Sequence, residues 1–162
     1  MKKTIMFMVF CAAVLTAVST IGCKKDNRPE DMPPLFSCVI TVVLEGTPLD
    51  EAAVSFVPVE GTDAKYRAVG VTNAEGKATM KTYGFDGAPA GKYKVTVRKL
   101  VVEEGPTITN SDGEEVTAHG AEYQAVERKY MDAKTTPHEI EITAGKKTHE
   151  VTFDVGKAIK IR

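Results

Sequence analysis

The sequence is poor in cysteine and has no excess of charge of either sign. Its 162 residues include three cysteines and 21 Lys+Arg against 22 Asp+Glu, which gives a formal net charge of -1. The balance of charge excludes a nucleic-acid binder that works through a large basic surface. Three cysteines exclude a miniprotein held by a framework of disulfides. With 43% hydrophobic residues, the chain can fold as a single domain of ordinary size.

The first 22 residues have the organisation of a secretory signal peptide. Lys2 and Lys3 form a positive start, residues 5–21 carry no charge, and small residues precede Cys23. This arrangement predicts export from the cytoplasm. An uncharged stretch of this length also reaches the lower bound for a membrane-spanning helix, so an uncleaved N-terminal anchor is the alternative.

The residues just before Cys23 favour lipidation. Thr20-Ile21-Gly22-Cys23 resembles the lipobox of bacterial lipoproteins, although Thr20 stands where leucine is usual. The resemblance implies acylation of Cys23 and a lipid anchor in the bacterial cell envelope. Lys24 favours the outer membrane, on its periplasmic side or at the cell surface. Two or three acyl chains hold a protein durably, because each buried methylene contributes about 0.8 kcal/mol.

Removal of residues 1–22 leaves a mature chain of 140 residues with a formal charge of -3. Cys11 leaves with the signal peptide and Cys23 takes the lipid, so Cys38 is the one thiol in the folded part. A single thiol cannot form an internal disulfide. Residues 23–35 are charged and contain three prolines, which predicts a flexible tether.

From residue 36 onward, hydrophobic residues recur with a period of two. The alternation predicts strands over residues 36–45, 52–59, 66–72, 77–83, 92–100, 138–143 and 148–155. It places Cys38, Ile40 and Val42 on one face of the first strand, Val54 and Phe56 inward on the second, and Tyr93, Val95 and Val97 on one side of the fifth. Asn73-Ala74-Glu75-Gly76 predicts a turn whose glycine has a positive φ. The last two strands are predicted to pair as a hairpin across residues 144–147. Seven strands and no convincing helix predict an antiparallel β-sandwich over residues 36–156, with a closed barrel as second choice and 157–162 as a C-terminal tail.

Two segments interrupt the alternation. Residues 84–91 contain three glycines and a proline, which predicts a tight loop that includes Phe85 and Asp86. Residues 101–128 form an acidic insert, predicted to hold a protruding hairpin that turns at Ser111-Asp112-Gly113 and includes Ile108. Residues 126–136 are predicted to be a crossing loop. Because recognition often uses loops on a rigid sandwich, Phe85, Asp86 and Ile108 are candidate ligand contacts.

Three blocks of sequence carry a family resemblance. They are Thr72-Asn73-Ala74-Glu75-Gly76, the run DGAPAGKY at 86–93, and Lys129-Tyr130 followed by Thr135-Thr136-Pro137. Together they resemble the small carboxypeptidase-regulatory-like lipoproteins of planctomycete-type bacteria, over about residues 36–155. The resemblance implies a seven-stranded Greek-key sandwich of the transthyretin-like and Ig-like type, in an exported and often lipidated chain. It implies no common chemistry and no cofactor.

His119 and Glu122 suggest an alternative function. Their His-x-x-Glu spacing is the one that zinc carboxypeptidases use, so the alternative is a metal-dependent hydrolase. A zinc site needs a third protein ligand and an ordered scaffold with an open position. The motif lies in the least patterned segment of a chain about half as long as those peptidases. The sequence therefore predicts no catalytic residue, no metal and no cofactor.

Other residues with possible chemistry receive structural interpretations. His138 and His149 are predicted to lie on the order of 13 Å apart at the ends of one core face, too far for a shared metal. The run from Asn110 to Glu115 lacks the flanking helices and the twelfth-position glutamate of an EF-hand calcium loop. Cys38 faces inward, which predicts an inert thiol.

Two features of the sequence exclude a hydrolase of the transthyretin fold. The chain has no histidine before His119 and ends in Ala-Ile-Lys-Ile-Arg, whereas 5-hydroxyisourate hydrolase has an early histidine and a C-terminal Tyr-Arg-Gly-Ser. The sequence therefore predicts a non-catalytic module that binds or scaffolds another envelope protein or a glycan, with no nucleic acid as partner.

Overall fold

The computed structural model describes residues 28–59 and 61–161. The predicted signal peptide, with Cys11 and Cys23, lies outside the described residues. The described part forms thirteen strands and one short helix. The strands are β1 (Leu35–Leu44), β2 (Thr47–Pro48), β3 (Ala53–Pro58), β4 (Ala68–Val71), β5 (Lys77–Thr79), β6 (Lys81–Thr82), β7 (Phe85–Asp86), β8 (Ala88–Pro89), β9 (Gly91–Arg98), β10 (Leu100–Thr109), β11 (Glu115–Gln124), β12 (Glu139–Ile142) and β13 (Thr148–Asp154), and the helix is α1 (Arg128–Met131).

Two sheets pack face to face, and a separate hairpin extends from them. In the first sheet, β1 pairs with β13, and also with β8, β5 and β2 along its length. The second sheet has the order β12-β9-β3-β4-β6-β7, and β10 pairs with β11 alone. The predicted all-β sandwich is confirmed.

One strand pair departs from the antiparallel prediction. β1 and β13 run parallel, with Cys38 beside His149 and Val42 beside Phe153. The other strand pairs in the described part of the chain are antiparallel. The first and last strands of the sandwich are therefore neighbours in the first sheet.

The predicted hairpin of the last two strands is wrong. β12 pairs with β9 in the second sheet, with Ile140 opposite Tyr93, whereas β13 pairs with β1 in the first sheet. The connection at residues 143–147 therefore crosses from one sheet to the other. Ile142 and Phe153 still point into the same core, because the two strands face it from opposite sides.

The inward faces of the strands are the ones that the alternation predicts. Cys38, Ile40 and Val42 on β1 are fully buried, and so are Val54 and Phe56 on β3. The core is completed by residues from the second sheet, the corner strands and the final segment: Ala68, Ala78, Met80, Ala88, Tyr93, Val95, Val97, Val126, Ile140, Ile142, Phe153 and Val155. Burial of these side chains is the main source of stability, since apolar surface removed from water contributes about 25 cal/mol per Å².

The predicted strand over residues 77–83 is two strands in two different sheets. β5 pairs with β1 in the first sheet, whereas β6 pairs with β4 in the second. Met80 lies between them, and its N–H donates to the carbonyl of Cys38 at 2.9 Å. The fully buried side chain of Met80 fills the corner between the sheets. One continuous alternating run therefore closes one edge of the sandwich.

The turn before β5 is the predicted one. Gly76 has φ +71, and its N–H donates to the Asn73 carbonyl at 2.8 Å. Asn73 Oδ1 accepts from the N–H groups of Glu75 and Lys77, as turn asparagines commonly do. A Cβ at Gly76 would lie 2.5 Å from the Val42 carbonyl oxygen, so both the backbone angle and the close approach require glycine.

The predicted crossing loop contains one helical turn. α1 places the buried Tyr130 against the core, and Thr136 Oγ1 donates to the Val95 carbonyl at 2.8 Å. These two contacts fix the segment against β9. The block at Lys129-Tyr130 and Thr135-Thr136, one of the three that carry the family resemblance, therefore packs on the sandwich.

Candidate functional site

The candidate residues Phe85 and Asp86 form β7, which pairs with β6 across a two-residue turn. Tyr83 and Gly84 occupy the turn, with φ +51 and φ +86. Asp86 is exposed, and its Oδ1 lies 3.4 Å from Lys81 Nζ. Phe85 is half-buried, with the Arg28 guanidinium 5.2 Å from the centre of its ring. The predicted loop at 84–91 thus contains ordered short strands.

The segment predicted as a tether is attached to this same end of the sandwich. Asp31 Oδ1 accepts a hydrogen bond of 2.6 Å from the Tyr66 hydroxyl, and its Oδ2 pairs with Lys65. These two partners lower the pKa of Asp31. Met32 is 8% exposed, and β1 begins at Leu35. Residues 31–35 are therefore part of the folded unit, which leaves a shorter segment to act as a tether than the predicted 23–35.

The insert is a long two-stranded hairpin, as predicted. A single residue, Lys99, separates the end of β9 from the start of β10, and the pairs run from Leu100–Gln124 at the base to Thr109–Glu115 at the tip. The register shifts twice, between Val102 and Glu104 and again before Thr107. Bulges of this kind bend and twist a ribbon.

Two residues of the hairpin suit these irregularities. Pro106 lies within the second shift, where a strand tolerates a residue without an N–H. A Cβ at Gly120 would overlap the Glu103 carbonyl, so the close approach of the two strands requires glycine. These two bulges explain why the insert shows little alternation in its sequence.

The tip of the hairpin is exposed on both of its faces. Residues 107–109 and 111–117 are all exposed. Ile108 and Val116 lie opposite each other, 50% and 38% exposed. In the turn, Asn110 Oδ1 accepts from the N–H groups of Asp112 and Glu114, at 3.0 and 2.8 Å. The asparagine oxygen thus serves the turn, in agreement with the interpretation of this run as a hairpin tip.

The base of the hairpin is braced by the segment predicted as a C-terminal tail. Gln124 pairs with Ile161, and the N–H of Ile159 donates to the Ala125 carbonyl at 3.1 Å. Lys160 Nζ lies 2.5 Å from Glu103 Oε1 and 4.7 Å from the ring centre of Tyr123. The base is therefore held on two sides, while the tip projects.

The candidate residues lie at two opposite ends of the sandwich. We call the end formed by residues 28–36 and 83–91 the entry end, and the end formed by residues 98–100 and 124–128 the hairpin end. β9 runs from the first to the second, and its eight residues span about 25 Å. Phe85 and Asp86 are at the entry end, whereas Ile108 is on the hairpin. They do not form one surface.

The two residues of the alternative hydrolase both lie on β11. His119 pairs with Glu104 along the backbone, and Glu122 pairs with Val102. Among the described residues, there is no group of three or more His, Cys, Asp or Glu side chains that could hold a metal ion.

Cys38 is in the core, as its register predicts. Its side chain is fully buried on β1, and burial raises the pKa of the thiol to about 12. A thiol with so high a pKa is almost entirely protonated at neutral pH, and it is the thiolate that reacts. Cys38 is therefore a packing residue.

The two later histidines also have structural positions. The His138 ring stacks on Tyr130 with 5.1 Å between centres and lies 4.6 Å from Phe153, and its Nε2 is 3.0 Å from the Asp154 carbonyl. His149 Nε2 lies 3.2 Å from the Thr143 carbonyl. Each ring thus lies against a backbone carbonyl: that of Asp154 at the end of β13 for His138, and that of Thr143, just after β12, for His149.

His138 should make the fold sensitive to mild acid. Burial lowers its pKa in the folded protein below the usual value of about 6.5. The unfolded chain therefore binds the proton first, so stability is fully present above about pH 6.5 and is lost as the pH falls through the folded pKa. We expect His138→Phe, which keeps the ring stack, to flatten the loss of stability between about pH 7 and 5 in urea titrations. Equal slopes for the two proteins would contradict this.

Comparisons with known proteins show likenesses of structure alone. No protein-family model matches the chain, and no curated protein matches it. The chain is similar to BcpA, the major pilin subunit of Bacillus cereus, with 17% identity and a TM-score of 0.40, over 77% of this chain and 31% of the pilin. It is also similar to a 9R-lipoxygenase from Cyanothece PCC8801, with 17% identity and a TM-score of 0.36, over 92% of this chain and 20% of that one. The chain thus spans less than a third of either protein, and likenesses this weak carry no inference about activity.

The described residues contain no helix that is long and apolar enough to cross a membrane. Within that part of the chain, the candidate functional features are the two ends of a rigid sandwich.

Proposed function

We propose that the chain is a lipid-anchored, non-catalytic module of the bacterial cell envelope that binds another envelope protein through the tip of its hairpin. The observation that carries this proposal is that the N-terminal segment and the hairpin lie at opposite ends of the sandwich. The N-terminal segment joins it at the entry end, where β1 begins beside β8. The hairpin leaves from the opposite end of β9. An anchor at Cys23 would therefore present the hairpin away from the membrane.

The chemistry of the tip suits a protein partner. Ile108 and Val116 form an exposed apolar pair on one rung. Both outer edges of the ribbon are without a strand partner at residues 107–117 in the described structure, so their N–H and C=O groups can pair with an added strand. Main-chain pairing next to an apolar contact is a common way to bind an extended peptide segment.

The non-catalytic part of the proposal is supported by the engagement of the reactive side chains. Cys38 is buried in the core, and the rings of His138 and His149 contact backbone carbonyls at the junction of the sheets. A buried thiol and a stacked imidazole stabilise the sandwich where they lie. The resemblance to carboxypeptidase-regulatory-like lipoproteins supports the same function.

A capture experiment from solubilised membranes tests the proposal and separates the two ends. We expect the double substitution Ile108→Ala with Val116→Ala to lower recovery of a partner protein at least about tenfold, because truncation of exposed apolar contacts at the centre of an interface removes most of its affinity. The matched control is Phe85→Ala with Asp86→Ala, two substitutions at the entry end, which should leave recovery unchanged.

Loss of the partner in the control and not in the hairpin variant would assign binding to the entry end. Recovery unchanged in both variants would contradict binding by either surface. A glycan ligand would appear as binding of the wild-type chain to isolated envelope polysaccharide, with no protein recovered.

A further inference from the structure

The turn of the β6–β7 hairpin holds an aromatic residue in an unfavourable backbone conformation. Tyr83 has φ +51, and Gly84 follows with φ +86. Two-residue hairpin turns with both angles positive favour Asn, Asp or Gly, since a bulky side chain is strained there. The Tyr83 side chain is nevertheless 64% exposed. An exposed, strained aromatic residue at a hairpin turn suggests a contact made outside the chain.

Neighbouring residues, among them the buried Tyr66, hold the exposed Tyr83 side chain in place. Its ring meets Tyr66 edge-on with 5.6 Å between centres, and its hydroxyl donates to the Lys65 carbonyl at 3.4 Å. Phe85 lies on the next strand of the same hairpin, beneath the guanidinium of Arg28. The hairpin therefore presents one exposed ring, Tyr83, and one half-buried ring, Phe85, with Arg28 next to the latter.

The position of this hairpin relative to the predicted anchor restricts what it can meet. Arg28 is the fifth residue after Cys23, and an extended chain spans at most about 3.6 Å per residue. Arg28 therefore lies within about 18 Å of Cys23, whatever path the chain takes. Because Arg28 contacts Phe85, the hairpin lies within reach of any surface to which Cys23 is attached.

We propose that the β6–β7 hairpin, with Tyr83 at its turn, lies in the headgroup region of the phospholipid surface that holds the acylated Cys23. This inference rests on the proposed lipid anchor. Tyrosine favours that region because its ring is apolar and its hydroxyl remains hydrated. Arg28 and Lys65 can reach lipid phosphates, while the ion pairs to Asp31 and Asp86 keep the surface close to neutral. The contact fixes the orientation of the sandwich on the membrane.

The absence of tryptophan from the chain allows a direct test. In the acylated full-length mature protein, Tyr83→Trp places one fluorophore at the turn, and Ile108→Trp places one on the hairpin tip as the control. Each protein is bound to phosphatidylcholine vesicles with or without bromine atoms on the acyl chains near the headgroup. We expect bromine to lower the emission of Y83W at least about twofold and that of I108W by less than about a tenth. Phe85→Trp is a second probe of the same hairpin.

Each outcome bears on one proposal. Flotation of the protein with the vesicles, together with unquenched emission from both Y83W and F85W, would overturn the headgroup contact and leave the lipid anchor intact. Failure to float, with no acyl chain on Cys23 by mass spectrometry, would overturn the anchor and with it this inference. Equal quenching of Y83W and I108W would also overturn the inference, because the sandwich would then lie flat on the membrane.

Discussion

Substitution of Cys23 by alanine is expected to abolish maturation and acylation of the protein. Lipobox processing requires a cysteine at this position, so Cys23→Ala should accumulate as an unprocessed precursor that takes up no labelled fatty acid. The effect on labelling is nearly all-or-none, because Cys23 is the one thiol in the predicted lipobox. The measurement is metabolic labelling with a fatty acid, together with the apparent mass of the chain.

A matched control is available in the same segment. Cys11→Ala makes the same change twelve residues earlier, in the predicted signal peptide, and should leave maturation and labelling unchanged. Normal maturation of Cys23→Ala would refute lipidation. A wild-type chain that keeps its N-terminus and takes up no fatty acid, yet stays with the membrane, would instead identify residues 5–21 as an uncleaved anchor.

Phe56→Ala is expected to have the largest effect on folding. Phe56 is fully buried on β3, between β9 and β4, and its ring lies 5.4 Å from that of Tyr93. Truncation of a buried phenylalanine removes its transfer free energy and leaves a cavity, which together cost about 3–5 kcal/mol. A domain of this size is stable by about 5–15 kcal/mol. The variant should therefore lose a large part of its free energy of unfolding in urea titrations.

The control for this prediction lies on the neighbouring strand. Val69 on β4 is exposed, so Val69→Ala should change the free energy of unfolding by less than about 1 kcal/mol. A loss below about 1 kcal/mol for Phe56→Ala as well would contradict the position of this ring at the centre of the core.

The alternation of residues was enough to predict the longer strands of the two sheets and their inward faces. Ile40 and Val42 on one strand and Val95 and Val97 on another are buried as expected. Side chains alternate between the two faces of a strand, so a period of two places the hydrophobic ones on the face that meets the core. The turn at Gly76 was predictable as well, because glycine is one of the few residue types that readily adopt a positive φ.

The pairing of the strands was less predictable. Ile142 and Phe153 face the same core whether their strands form a hairpin in one sheet or lie in opposite sheets, so alternation cannot distinguish the two arrangements. Likewise, nothing local to Met80 marks the point where the chain moves from one sheet to the other. These features depend on contacts between residues that are distant in sequence.

The candidate site shows the same division. Phe85, Asp86 and Ile108 were identified from the composition of their loops, but the sequence could not show that β9 separates them. The contact of Asp31 with Tyr66 was missed, because a charged, proline-containing segment is typical of linkers. Tyr83 was missed as well, because its positive φ is a property of the folded backbone.

Energy transfer to acceptor lipids tests most directly which end of the anchored sandwich faces the membrane. Cys38 is buried and Cys23 is predicted to be acylated, so one added cysteine can be labelled selectively. The acylated protein with Ala90→Cys carries a donor at the entry end, and the protein with Ser111→Cys carries it at the hairpin tip. With acceptor lipids in the vesicles, we expect strong transfer from A90C and weak transfer from S111C, since the two sites differ in height by roughly 25 Å or more. Equal transfer from the two sites, or stronger transfer from S111C, would contradict this account.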